Sequence, residues 1–302
     1  MSAVFASGTA AVPAPSAAPM PASTPAPTPT PSGRRARILA VTSGKGGVGK
    51  TFLSANLAAA LARLGRRVLV LDADLGLANL DVVLNLHPKV TLHDVFTGKV
   101  ALDDAILPAP GGFSVLLAGS GLVEYSRLTA EVREQLLHII ATVAPRYDHI
   151  LLDTGAGISE VVLFAVSLAD DVLVITTPEP TSMTDAYATI KVLATQQQRS
   201  AIRLVVNQVG RIGEGRGIRG QLQLVVDRFV TPMLVASNVL AQAAHGAAAV
   251  PSSTTVKLEL LGEVPHDLSV RESVQKRRLL LQLLPGCPAA RAVEVIATRL
   301  AP

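Results

Sequence analysis

Short apolar runs alternate with longer amphipathic stretches along most of this chain. Ile38 to Val41 is uninterruptedly apolar, and the segment after it, TFLSANLAAALARLG, carries helical apolar spacing closed by Gly65, so the pair predicts a buried strand leading into a helix. Further strands are predicted at Arg66 to Asp72, Phe113 to Ala118, His149 to Asp153, Val172 to Thr176, Ile202 to Val206 and Leu258 to Val264. Helices are predicted at Thr129 to Val143, in TTPEPTSMTDAYATIKVLA, from Gln221 to Phe229, in RESVQKRR and from Pro288 to Leu300, and Thr91 to Leu107 reads as two short amphipathic helices about Gly98. Strands that stay apolar along their length have both faces covered. The fold class expected is therefore α/β, a mostly parallel sheet with helices on both faces.

Three stretches break the alternation. Residues 1 to 33 contain no charged side chain and consist mostly of Ala, Pro, Ser and Thr, a composition that cannot bury enough surface to offset its ordering entropy. A disordered tail is expected there, ahead of one folded domain spanning residues 34–302. Gly210 to Gly220, with Arg211, Arg216 and Arg219, reads as a flexible basic loop. Residues 230–256 are uncharged apart from His245, rich in Ala and Val and partly helix-patterned, and are expected to be an insertion, disordered or loosely packed.

Composition narrows the function classes. With 49% hydrophobic residues in 302, one large core can form, and with 3% aromatics and no Trp it must be built from Leu, Val, Ile and Ala. A net charge of +4 is only mildly basic and is not by itself a nucleic-acid signature. Cys287 is the single cysteine, which excludes an intrachain disulfide and a CxxC metal site and fits a reducing cytoplasm. His87 and His93 have no cysteine or carboxylate set at ligand spacing. No apolar run approaches the ~20 residues that span a bilayer, so a cytoplasmic chain with at most peripheral membrane contact is expected.

The chemistry concentrates in SGKGGVGKTF, between the first strand and the first helix. Gly44, Gly49, Lys50 and Thr51 satisfy the phosphate-loop pattern GxxxxGK[ST]. Glycines let backbone N–H groups turn around a phosphate chain, and a helix N-terminus adds partial positive charge. Lys50 should reach the β and γ phosphates, and the Thr51 hydroxyl should be a ligand of Mg²⁺. Two strand ends deliver carboxylates to the same sheet edge, where open α/β sheets bind ligands. One brings Asp72 and Asp74, which share a face of an extended segment, and either can orient a water or a Mg²⁺ shell. The other brings Asp153 ahead of TGAGI, a Walker B arrangement in which the carboxylate holds a Mg²⁺-bound water and Gly155 and Gly157 permit a switch loop. Asn207, ending a late strand, carries both donor and acceptor for an adenine edge.

The full string KGGVGKT resembles the deviant phosphate loop of the MinD/ParA (signal-recognition-like) ATPases. The blocks DADLGLANLDVVL, TLHDVFTG, LLDTGAGI, TTPEPTSMTDAYATIK and LGEVPHDLSVRESVQKR resemble the flagellar-number regulators of the FlhG/FleN/YlxH type. The resemblance covers roughly Arg37 to Leu300. It implies an ATPase with ATP and Mg²⁺ as cofactors and a nucleotide-sandwich homodimer, in which Lys45 reaches the partner's ATP and Asp74 helps to position the attacking water. It implies that Gly44, Lys45, Gly46, Gly47, Val48, Gly49, Lys50, Thr51 and Phe52 bind the nucleotide, with Asn207, Pro265 and Asp267 around the base. Lys45, Lys50, Asp74 and Asp153 form the implied catalytic set, with Thr51 and, through water, Asp153 on the metal.

The partners implied are a flagellar GTPase of the signal-recognition (FlhF-like) type, a flagellar transcription activator or switch-ring proteins, at a pole or peripheral to the inner membrane. The DQAxxLR-like motif that activates the partner GTPase in this family is missing from residues 1–33. A division-site or DNA-partition ATPase would use the same site, the latter with Arg211, Arg216, Arg219 and the Lys276 to Arg278 cluster as its basic surface, and a scaffold that binds ATP without turnover is the third alternative.

Overall fold

The computed structural model describes residues 35–75, 78–119, 128–245 and 253–302, so the expected tail at 1–33 lies outside the described residues. Eight strands form one sheet: β1 (Arg37–Ser43), β2 (Val68–Ala73), β3 (Ile106–Pro108), β4 (Ser114–Leu116), β5 (His149–Ala156), β6 (Asp171–Thr176), β7 (Ala201–Val209) and β8 (Lys257–Pro265). Their order across the sheet is β3-β4-β2-β5-β1-β6-β7-β8. Every pairing is parallel except β3 with β4. A mostly parallel α/β sheet is what the apolar runs demand.

The two-residue period of a strand sorts side chains into two cores. Ile38, Ala40, Leu69, Leu71, Ile150, Leu152, Val172 and Val174 point to one face, under α5 (Ala130–Val143), α6 (Glu160–Ser167), α7 (Pro180–Gln197) and α8 (Glu214–Phe229). Leu39, Val41, Val68, Val70, Leu151 and Leu173 point to the other, under α1 (Lys50–Arg63), α11 (Leu280–Leu283) and α12 (Pro288–Leu300). Because β1 lies between β5 and β6, the chain leaving it crosses to β2 while the chain leaving β5 crosses back to β6. That reversal opens a crevice at the carboxyl ends of β1, β2 and β5.

Several local expectations need correction. The segment Gly210 to Gly220 is not a loop throughout: α8 begins at Glu214, with Arg216 and Arg219 on the helix. The cap comes from far away in sequence, since the Glu263 carboxylate of β8 accepts the N–H of Gly213 at 2.5 Å and of Gly215 at 2.8 Å. A β-carbon at Gly215 would lie 2.7 Å from that carboxylate, so glycine is needed there for close approach. Residues 231–245 form a helix, α9 (Thr231–His245), attached through buried Val230 and Leu234. The helix expected in RESVQKRR ends earlier, as α10 (Leu268–Gln275). Thr91 to Leu107 holds α3 (Leu92–Phe96) and α4 (Leu102–Ala105), and the short helix α2 (Leu80–Leu84) and strand β3 were not expected.

Candidate functional site

The loop from Ser43 to Lys50 joins β1 to α1. Its geometry rests on glycines: Gly47 and Gly49 sit at φ 77° and 95°, the left-handed region that L side chains avoid. Gly44 packs so closely on α7 that a β-carbon would run into the Asp185 carbonyl. Gly49 is also the N-cap of α1 and so brings no side-chain oxygen to the first helical N–H groups, which are left for an anion.

Lys50 is buried, and its Nζ donates to Ser43 Oγ at 3.0 Å. Burial lowers its pKa, while the Asp153 and Asp74 carboxylates raise it. The two carboxylates keep this desolvated ammonium charged, and it is held at the loop where a phosphate oxygen would meet it. Ser54 Oγ donates to Asp153 Oδ1 at 2.8 Å, and the Thr51 hydroxyl bonds the same carboxyl group. Burial pushes the Asp153 pKa up to about 6, against those hydroxyls and the Lys50 charge. Asp72 is buried: Oδ1 accepts the Asp74 N–H at 3.1 Å, and Oδ2 has no close hydrogen-bond partner among the described residues. Burial first, then the Asp153 carboxylate, drive its pKa well above the ordinary range.

Lys50 and Thr51 line a cavity of about 730 Å³ together with Gly46, Gly47, Asp74 and Gly155 among others, and Asp153 lies behind that lining, bonded to Thr51 and Ser54. The Asp74 carboxylate lies 3.4 Å from the position a β-carbon on Gly155 would take, so the two loops expected to act as switches meet at that point. A hydroxyl backed by a buried carboxylate, with a buried lysine and a second carboxylate beside it, is the donor set of a nucleotide phosphate with Mg²⁺. The residues present fit that group.

Asn207, Pro265 and Asp267 come together with Gly49 and Phe52 around an adjoining cavity of about 420 Å³. Two of the three are already engaged. Asn207 Nδ2 donates to the Val48 carbonyl at 2.8 Å and its Oδ1 accepts the Gln208 N–H at 2.9 Å, which ties β7 to the phosphate loop. Asp267 caps α10, accepting from Ser269 N, and bonds Ala289 N. His266, Arg271 and Val274 line this cavity as well and were not singled out from sequence.

Lys45 stands apart from the other loop residues. Its Nζ donates to Glu179 Oε2 at 2.7 Å and to Thr181 Oγ1 at 3.0 Å, both in the TTPEPTS block at the start of α7. Sequence reasoning missed Ser54, Glu179 and Thr181. Ser54 had a signal, because Thr51 and Ser54 are three apart and share a face of α1; Glu179 had none, since only the fold brings it to the loop.

The AAA domain family matches residues 36–206. The antiactivator FleN of Pseudomonas aeruginosa is 39% identical over 263 residues, 87% of this chain and 85% of that protein. The flagellum site-determining protein YlxH of Helicobacter pylori is 30% identical over 86% of this chain and 80% of that protein. Among solved structures, the septum site-determining protein MinD of Pyrococcus horikoshii, complexed with Mg-ADP, superposes with a TM-score of 0.65 at 26% identity, covering 88% of this chain and 96% of that one.

Proposed function

We propose a function from the premise that this chain belongs to the AAA domain family of MinD/ParA-type ATPases and, within it, to the branch that holds FleN and YlxH. It is an ATPase that uses a nucleotide and Mg²⁺, and its role is control of flagellar number or placement through an ATP-dependent dimer. The observation that carries the chemistry is the convergence of Lys50, Thr51 and Asp74 on one cavity at the carboxyl edge of the sheet, with the buried Asp153 bonded to Thr51 behind it.

Each residue has a separable task. The backbone N–H groups from Gly46 to Thr51 wrap the phosphates, and Lys50, already desolvated, gives its full charge to the β and γ oxygens. Thr51 and Asp153 would hold Mg²⁺, which when bound neutralises charge on those oxygens. Asp74 orients the attacking water on the far side of the γ phosphate. Asp72 holds the Asp74 backbone by its N–H and so fixes that loop relative to β2. Lys45 leaves Glu179 and Thr181 when a second copy presents its own nucleotide, and its charge then acts across the interface. Turnover removes the γ phosphate, and the dimer with its flagellar partners comes apart. Those partners are a signal-recognition-type GTPase, a transcription activator or switch-ring proteins.

For location, no helix among the described residues is long and apolar enough to cross a membrane. Peripheral contact at a pole or on the inner membrane is part of this reading.

The test is deletion of the gene followed by filament counts in electron micrographs. Extra or misplaced flagella with normal division support the assignment. Normal flagella alongside minicells, or alongside lost plasmids, would hand the chain to the division-site or the partition reading instead.

A further inference from the structure

On the opposite side of β7 from the nucleotide, the open edge of β8 forms the floor of a groove of about 430 Å³. Helices from both faces of the sheet close over it: Arg216 projects from α8, and Arg291 and Arg299 from α12. The floor and wall between them are aliphatic, made by Leu260, Ala292, Val295 and Ile296.

The positive charge of this groove is not neutralised from within. Glu263, its one carboxylate, spends both oxygens on the N–H groups of Gly213 and Gly215. The neighbouring acids are also committed elsewhere: Glu214 accepts from Gly210 N, Glu294 pairs with Arg63 and Glu259 with Arg203. Arg299 gives one nitrogen to the Leu261 carbonyl. Arg216 and Arg291, both exposed, have no acidic partner among the described residues. Two guanidinium forks without an acidic partner among the described residues, lining one groove with an apolar floor, ask for a ligand that carries carboxylates beside an aliphatic body.

Strand addition is closed off over the first half of the edge. Gln223 reaches down from α8, donating to the Val256 carbonyl and accepting the Leu258 N–H at 2.9 Å, and Arg299 covers the Leu261 carbonyl. Over that half a ligand docks by its side chains. A phosphate polymer or a lipid headgroup would satisfy the arginines but would leave Leu260 and Val295 facing solvent or a charged backbone.

We propose that this groove is a docking site for an acidic peptide segment of a partner protein, anchored by an aliphatic side chain on Leu260 and Val295 and by carboxylates on Arg216 and Arg291. It shares no residue with either nucleotide cavity, so a partner held here stays accessible to the chain in every nucleotide state.

The experiment is an array of random twelve-residue peptides probed with the full chain, the strongest binders being remade with a fluorescent label and measured by anisotropy. Peptides with Asp or Glu beside Leu, Ile or Val are expected to be selected. The Arg216→Glu/Arg291→Glu double variant should weaken them at least tenfold, as should Val295→Asp, a change at a position already 52% exposed. Replacing the peptide's Asp and Glu by Asn and Gln should have the same effect, and ATP turnover of the variants should match the parent. A selected set without acidic enrichment, or binding that survives the double reversal, overturns the proposal. So does charge-reversal-sensitive binding of duplex DNA or of phosphatidylglycerol vesicles without any acidic peptide, which would make the groove a phosphate surface.

Discussion

Lys45 and Glu179 form an ion pair at 2.7 Å within one chain, so the lysine assigned to a partner's nucleotide is held at home by the first turn of α7. The pair is a surface contact: the side chains are 37% and 61% exposed. Contacts of this kind contribute about 0.2–1 kcal/mol. A restraint of that size biases an equilibrium without blocking it, which suits a lysine that must change partners.

Glu179→Gln should therefore lower the ATP concentration at which half the chains dimerise by about two- to fivefold, the factor that up to 1 kcal/mol allows. Affinity of the monomer for ATP should not change. Light scattering across an ATP titration measures the first, and calorimetry on dilute protein the second. A dimerisation curve that stays in place or moves to higher ATP would mean that Glu179 does not restrain Lys45.

Lys50→Ala should weaken ATP binding at least a hundredfold, because a buried polyphosphate then faces Asp153 and Asp74 with no compensating cation. Calorimetry gives the answer directly. Unchanged affinity would remove the phosphate-loop assignment, and circular dichroism should show the fold intact, since the hydrogen bond lost is a single one to Ser43 Oγ at the loop.

Asp153 makes stability depend on pH in a direction opposite to most carboxylates. Its folded pKa of about 6 stands above the ordinary 3.8 of an aspartate, so the folded chain binds the extra proton between those two points. Stability from this group is fully present below about pH 4 and is lost as pH rises through about 6. At 1.36 kcal/mol per pKa unit the loss is on the order of 3 kcal/mol. Asp72, raised by burial and by Asp153, adds in the same direction. Asp148, Asp94 and Asp267 are lowered and act oppositely, so the clean measurement is a difference between proteins. Chemical denaturation of nucleotide-free, Mg²⁺-free Asp153→Asn should gain on the parent between pH 4 and 7; parallel curves would mean that Asp153 ionises normally in the fold.

How far the sequence could be read depended on the range of the interactions. Strands and long helices follow from period-2 and period-3.6 spacing within a few residues, so β1, β5, α5 and α12 lie where the apolar pattern places them. The phosphate loop is equally local, with Gly44, Gly49, Lys50 and Thr51 within eight positions. Long-range partners left no such trace. The cap that converts the glycine-rich segment after Gly213 into a helix is supplied by Glu263, fifty residues on. Asn207, read as a base contact, also ties its amide to Val48, 159 residues away. A local pattern cannot register pairs of that kind, because the energy that decides them is released only when the sheet brings the strand ends together.

Asp74→Ala should separate binding from turnover. The Asp74 carboxylate acts on the Lys50 charge and lies against Gly155 of the second switch loop. Removing it takes away the group that orients water while leaving Lys50, Thr51 and Asp153 to hold the nucleotide and Mg²⁺. ATP affinity should stay within about threefold of the parent, turnover should fall at least a hundredfold, and the ATP dimer should persist for hours instead of decaying with hydrolysis. Gly155→Ala is the graded companion. Its added methyl would meet the Asp74 carboxylate at 3.4 Å, an ordinary contact that the backbone tolerates, and would narrow the space for water beside that carboxylate. A smaller loss of turnover with full ATP binding is expected from it. Single-turnover hydrolysis measures the chemical step in both proteins, and size-exclusion chromatography with ATP and Mg²⁺ measures the dimer. If Asp74→Ala hydrolyses ATP at the parental rate, water is positioned by another group, and if it loses the dimer while keeping ATP, the carboxylate serves the interface and not the water.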